Sequence, residues 1–203
     1  LLCGEDVSRK TPGEIRRRGV SFIPEDRMTT GVDGKASVAE NLLVGKQRRP
    51  EFSLLGGFQL RRRQVKKYAA EQAKKFDIRM SGVDDPVSSL SGGNMQKVVI
   101  AREFSFDSPV LVVSQPTRGV DIGAIEFIHE HIMQKRNEGC AILLISADLD
   151  ELFRLSDRLV TLYEGRITGS FRTEEITREE IGYYMTGGVK DEESAAKEEL
   201  RHG

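Results

Sequence analysis

The chain has 203 residues, with 31 Lys and Arg against 32 Asp and Glu, for a formal net charge of −1. That length can bury a core in one large domain or two small ones, and the near-neutral balance argues against a general nucleic-acid or membrane-surface binder. No apolar run approaches the ~20 residues that cross a bilayer and no basic-then-apolar leader opens the sequence, so a soluble, cytoplasmic protein is expected.

In chain order, Leu1–Val7 reads as a short strand, and Thr11-Pro12-Gly13-Glu14 opens a helix with a good N-cap and a proline suited to the first turn. Gly19 closes that helix, and Val20–Ile23 makes a strand that stops at Pro24. Ser37-Val38-Ala39-Glu40 has the spacing of a capping box ahead of Asn41–Val44. From Lys46 to Arg79 eleven Lys/Arg face only Glu51, Glu71 and Asp77, with Gly56-Gly57 as punctuation. Arg61–Ile78 reads as a long helix with an apolar stripe of Tyr68, Ala69, Gln72, Ala73 and Phe76. A basic run of this kind can contact phosphate, but a solvated helix face is the simpler reading, and aromatic residues are not interleaved for base stacking.

After Gly92-Gly93 another helix runs to about Phe106. Three β-branched apolar runs follow, Val110–Val113, Ala141–Ile145 and Leu159–Tyr163. Between the first two lies a helix with Ile125, Ile128, Ile132 and Met133 on one face, closed by Gly139. Such alternation predicts crossover units and a parallel sheet. Glu164-Gly165 turns the chain into an added strand at Arg166–Phe171, and Thr177–Glu180 caps a last helix. Cys3 and Cys140 form no CxxC pair and read as core or surface thiols. His129 and His131, two apart on a helix, point to different sides and cannot share a metal.

The strongest local signal is Leu90-Ser91-Gly92-Gly93-Asn94-Met95-Gln96-Lys97, a serine and two glycines opening a helix. Unobstructed amide N–H groups at a helix start make an anion site, and Ser91 adds a hydroxyl donor. Alone, the run is equally a capped helix. Downstream stands Val110-Leu111-Val112-Val113-Ser114-Gln115-Pro116-Thr117-Arg118-Gly119-Val120-Asp121. The pair resembles the ABC-transporter ATPase family over nearly the whole chain. Pro24-Glu25-Asp26-Arg27, Ser37–Asn41 and Thr117–Asp121 resemble one branch, the second half of the fused two-ATPase subunits of simple-sugar and nucleoside importers.

That resemblance implies an α/β, P-loop NTPase-like (ABC ATPase) partial domain of mostly parallel sheet, with an inserted helical subdomain and short antiparallel strands. It places a truncated ATPase domain over 1–189, with an α/β core at 1–45 and 106–189, a helical signature subdomain at 46–105, and a charged tail over 190–203. The Gly-x-x-x-x-Gly-Lys-Ser/Thr phosphate loop is absent, which implies a chain that begins after it. Its family strand would lie between those at Ala141–Ile145 and Leu159–Tyr163. These two flanks are therefore expected either to pair directly or to accept a strand from elsewhere.

By the same resemblance Ser114 stands in place of the Mg²⁺-holding aspartate and Gln115 in place of the catalytic glutamate. A neutral hydroxyl supplies no charge to the metal, and Gln is a poor proton acceptor. Ala147 takes the position of the switch histidine, and Glu25 that of the Q-loop glutamine. The site is degenerate, with no catalytic set intact and no metal ligands. Ser91, Gly92, Gly93 and Gln96 would instead bind, in trans, an ATP held by a partner, with the D-loop residue Asp121 contributing across the interface. The implied cofactors are ATP and Mg²⁺ in the intact subunit, none tightly bound by this segment. Implied partners are the N-terminal ATPase half of the same subunit or a second copy, together with transporter membrane subunits and no nucleic acid. The implied location is the inner face of the cell membrane. A non-catalytic module that only bridges to membrane subunits is the alternative.

Overall fold

A computed structural model describes residues 1–2, 4–54 and 58–188, so Cys3, Gly56-Gly57 and the charged tail at 190–203 lie outside the described residues. Contacts divide the chain into two compact units, Leu1–Ser146 and a second that starts at Ala147. This division cuts across the α/β core expected over 106–189.

In the first unit, helix α1 (Pro12–Arg17) and helix α2 (Val38–Leu43) both begin at complete capping boxes, Thr11 with Glu14 and Ser37 with Glu40. In each, the hydroxyl accepts the Glu N–H while the carboxylate accepts the cap N–H, satisfying two orphan donors with residues three apart. Strands β1 (Val20–Ile23), β4 (Val110–Ser114) and β5 (Ala141–Ile145) form a parallel sheet in the order β1-β4-β5. Short strands β2 (Ser53–Leu54) and β3 (Gln59–Leu60) pair antiparallel. Helices α3 (Arg62–Lys75), α4 (Gly92–Phe104) and α5 (Ile122–Asn137) complete the unit. One sheet face, with Ile23, Leu111 and Val113, is buried, as are Val98–Ala101 of α4, which packs on β1.

The second unit holds α6 (Leu149–Leu155), a hairpin of β6 (Arg158–Tyr163) and β7 (Arg166–Arg172), and α7 (Arg178–Met185). Glu164 and Gly165, at φ 46° and 76°, make the tight turn with two left-handed residues that matches strand twist. Leu159, Ile176, Ile181 and Tyr184 form its core, with Leu149, Leu152, Phe153 and Phe171 packed around them. A bulge between Thr161 and Leu162 shifts the register. Thr168 Oγ1 there donates to Tyr184 O at 2.8 Å, tying the hairpin to α7.

Four expectations need correction. Among the described residues of Leu1–Val7 the only pairing is a bridge between Leu2 and Glu5, which exchange both N–H···O bonds locally. Helix α3 stops at Lys75, because Asp77 adopts a left-handed φ of 46°. Strand β6 pairs antiparallel with β7 in a two-stranded sheet, and the two-residue turn between them closes at little entropic cost. Of the two flanks, Ala141–Ile145 pairs with β4 in its unit and Leu159–Tyr163 with β7 in the other. Finally, Lys46 is not part of a solvated face: it is 1% exposed.

Candidate functional site

Helix α4 starts at Ser91, whose extended backbone (φ −64°, ψ 158°) leaves its side chain to cap the first turn. Ser91 Oγ accepts from Asn94 N at 3.4 Å and from Asn94 Nδ2 at 2.9 Å, while its own hydroxyl hydrogen is used in neither bond. Arg79 N donates to Asn94 Oδ1 at 2.8 Å, which orients the amide that does this. The first N–H to turn back to Ser91 O is that of Met95, at 2.9 Å. The N–H groups of Gly92 and Gly93 precede it at the positive end of the helix dipole. Ser91 is exposed, Gly92 half-exposed and Gly93 buried, so the corner meets solvent at its first two residues.

The turn 117–121 lies against the same corner. Asp121 caps α5 by accepting from Ala124 N at 2.9 Å through Oδ1. A Cβ on Gly93 would stand 2.9 Å from the other oxygen, Oδ2, and 3.2 Å from Ala124 Cβ. Glycine at 93 is thus what lets α4 and α5 start side by side. A Cβ on Gly92 would stand 2.8 Å from Arg27 Nη2 and 3.4 Å from Gly119 O. Gly119 itself has φ +66°, which a glycine adopts without strain.

Ser91, Gly92, Gly93 and Asp121, proposed from sequence, are therefore brought together. Gln96 is not with them: it is 2% exposed, turned into the unit rather than toward solvent. Glu25 follows β1 and ion-pairs with Arg118 of the turn, with both side chains largely solvated. Ser114 ends β4 opposite Ile145 of β5. Gln115 follows in the left-handed region at φ 48°, its N–H donating to Ile145 O at 2.8 Å. Ala147 opens the second unit, just before Asp148, the N-cap of α6. Arg27, given no role by sequence reasoning, donates from Nη1 to Arg118 O at 2.7 Å and from Nη2 to Gly119 O at 2.9 Å. Its only sequence signal was membership of Pro24-Glu25-Asp26-Arg27.

The two kinds of position differ in chemistry. The Ser91–Gly93 corner offers a hydroxyl and the N–H groups of a helix start, the kind of donors that suit an anion. Ser114 and Gln115 present a neutral hydroxyl and a neutral amide, and among the described residues no group of three His, Cys, Asp or Glu is placed to hold a metal. Cys140 and His131 sit among packed neighbours. Cys140 Sγ lies 3.3 Å from Ser108 O, and burial pushes its pKa up, away from thiolate character. The ring of His131 stacks on Phe127 with centroids 4.0 Å apart. Among the described residues no helix is long and apolar enough to cross a membrane.

No protein-family model matches the chain. Curated relatives do. The chain is 40% identical over 187 residues to the nucleoside import ATP-binding protein NupA of Lactococcus lactis subsp. cremoris, covering 92% of this chain and 37% of that protein. It is 42% identical to the glucose import ATP-binding protein TsgD13 of Haloferax volcanii (91% of this chain, 34% of that protein). It is 39% identical to the ribose import ATP-binding protein RbsA 2 of Rubrobacter xylanophilus (98% and 37%). The chain thus spans just over a third of the length of the curated relatives it matches. Among solved structures, a nucleotide-free ATP-binding cassette from an ABC transporter superposes with a TM-score of 0.65 at 24% identity, covering 90% of this chain and 70% of that one. A dimeric ATP-binding cassette in a post-hydrolysis state, bound to ADP and phosphate, superposes at 0.64 with 20% identity (79% and 66%). The chain has the ATP-binding-cassette fold of the P-loop NTPases, with a parallel sheet, helices and short antiparallel strands. Over some nine-tenths of its length it is a sequence relative of ATP-binding proteins of sugar and nucleoside import.

Proposed function

From that fold and that kinship, we propose that the chain serves an importer of a simple sugar or nucleoside by completing an ATP site it does not itself own. Ser91, Gly92 and Gly93 donate to phosphate oxygens of an ATP held by a partner ATPase unit, either the other half of the same subunit or a second copy. Asp121 joins them across the interface. The observation that carries this reading is the solvent-facing start of α4 at Ser91 and Gly92, with Asp121 packed on the buried Gly93, in a chain whose own Ser114 and Gln115 are neutral. A scaffold has no use for a helix start that presents a serine hydroxyl beside an exposed turn.

Bound ATP supplies the phosphoanhydride to be cleaved. The contribution of this chain is to bind and orient it with N–H and O–H donors that need no reorganisation. No step is assigned to Ser114, Gln115 or Ala147. Membrane subunits are the remaining partners, and the place of action is the cytoplasmic face of the membrane.

The test uses the full-length subunit that contains this chain. Ser91→Arg puts a long side chain into the corner and is expected to abolish ATP hydrolysis, whereas Ser114→Ala and Gln115→Ala are expected to leave it nearly unchanged. The purified chain alone is expected to hydrolyse ATP no faster than background and to bind it no better than roughly millimolar, ~4 kcal/mol. Full activity in Ser91→Arg would refute the reading and favour a module that only bridges to membrane subunits.

A further inference from the structure

The turn 117–121 is gripped from a segment far away in sequence. Asp26 caps a π-turn at Arg27–Gly31, accepting from Met28 N at 2.9 Å and Thr29 N at 3.1 Å. Thr29 Oγ1 adds a 2.6 Å bond to Asp26 Oδ2, and Thr30 Oγ1 one of 2.6 Å to Asp26 O. The backbone that carries Arg27 is thereby fixed. From it the guanidinium spends two donors on adjacent carbonyls of the turn, 2.7 Å to Arg118 O and 2.9 Å to Gly119 O. The same Nη2 fills the space beside Gly92, 2.8 Å from where a Cβ would sit. One cation thus touches the turn that leads to Asp121 and the first residue of the signature helix.

We infer that Arg27 is the positioning residue that holds the 117–121 turn against the start of α4, so that Ser91–Gly93 and Asp121 present one preformed surface to the partner's nucleotide. The inference rests on the trans-signature reading above. Arg27 itself does not touch ATP. The planar guanidinium presents its two Nη donors in a fixed fork that matches adjacent carbonyls, whereas the Lys ammonium is a point charge on a flexible stem. Glu25 and Arg118 link the same two segments through a solvated ion pair of the kind that contributes little; the two Arg27 bonds also lie at the surface, and they hold the turn by its backbone rather than by one side chain.

Steady-state hydrolysis by the full-length subunit tests this, combined with amide exchange on peptides covering 117–121. Arg27→Met is expected to raise KM for ATP about tenfold or more, the loss expected for charge-assisted hydrogen bonds, with a smaller change in kcat and faster exchange in the turn. Arg27→Lys, which keeps the charge but not the fork, is expected to fall between wild type and Met. If the Met variant does not fold, the Lys variant carries the test: a raised KM at near-constant kcat supports the inference, and an unchanged KM overturns it. Loss of activity in Ser91→Arg beside an unchanged KM and unchanged exchange in Arg27→Met would overturn the inference and leave the functional reading standing. Full activity in Ser91→Arg removes the nucleotide role, and with it this inference, whatever the exchange data show.

Discussion

Replacing Lys46 by Met removes a charge that the fold holds in an unusual place. Lys46 Nζ donates to Tyr68 Oη at 2.9 Å, to Arg102 O at 3.4 Å and to Ser105 Oγ. It also stands 4.1 Å from the centroid of the Phe106 ring and 5.4 Å from that of Tyr68. Burial pulls its pKa from 10.5 down to about 7, and the positive charges of Arg49, Arg16 and Arg102 add to this against the pull of Glu103. A lysine with a lowered folded pKa binds fewer protons folded than unfolded between pH 7 and 10.5, so stability rises with pH across that window. The slope is at most ~1.4 kcal/mol per pH unit, and the gain from pH 7 to pH 9 is about 2 kcal/mol. Met fills the cage without charge. Its neighbours keep their bonds, because Tyr68 Oη donates to Ser105 Oγ at 3.0 Å and Ser105 Oγ to Arg102 O at 2.6 Å. Lys46→Met is therefore expected to match or exceed wild-type stability at pH 7 and to lose the advantage by pH 9. Urea titrations at pH 7, 8 and 9, read by pulsed hydrogen exchange on peptides from α3, isolate the first unit. A wild-type-minus-variant difference that stays flat over that range would refute the reasoning, because the lysine would then not be titrating inside the fold.

Two further outcomes follow from named contacts. Glu103, with a side chain 1% exposed, binds Arg16 Nη2 at 2.9 Å and Arg102 Nε at 2.8 Å; Glu103→Ala strands the buried Arg102 and is expected to cost about 3–5 kcal/mol in chemical denaturation, and a loss below 1 kcal/mol would contradict a buried pair. Gly93→Ala forces the Asp121 carboxylate from its place 2.9 Å away and with it the cap on Ala124 N; a loss of about 1 kcal/mol and faster amide exchange at the start of α5 are expected, and unchanged exchange there would show that the cap does not depend on glycine.

What the sequence determined by itself was local or chemical. The capping boxes at Thr11, Ser37 and Thr177 were legible because both partners lie within one turn of chain. Strands β1, β4 and β5 were legible as short apolar runs between turn residues, and the loss of charge at Ser114 and Gln115 can be read from identity alone. Helix and hairpin signals settle over a few residues, so tertiary packing had little to add to them. Only the tertiary structure decided which distant groups meet. The Glu164-Gly165 turn and the strand after it were legible, but that β6 and β7 form a two-stranded sheet was not. Lys46 counted as one more surface cation, since nothing near it in sequence reveals Tyr68 and Phe106 closing over it. Gln96 sits in the signature motif yet faces inward, because helical phase within a packed unit sets exposure. Arg27 found its role through carbonyls of residues 118 and 119. Backbone acceptors carry no residue identity, so a hydrogen bond to a carbonyl leaves no mark in the sequence, and the grip on the turn became visible only once the chain was folded.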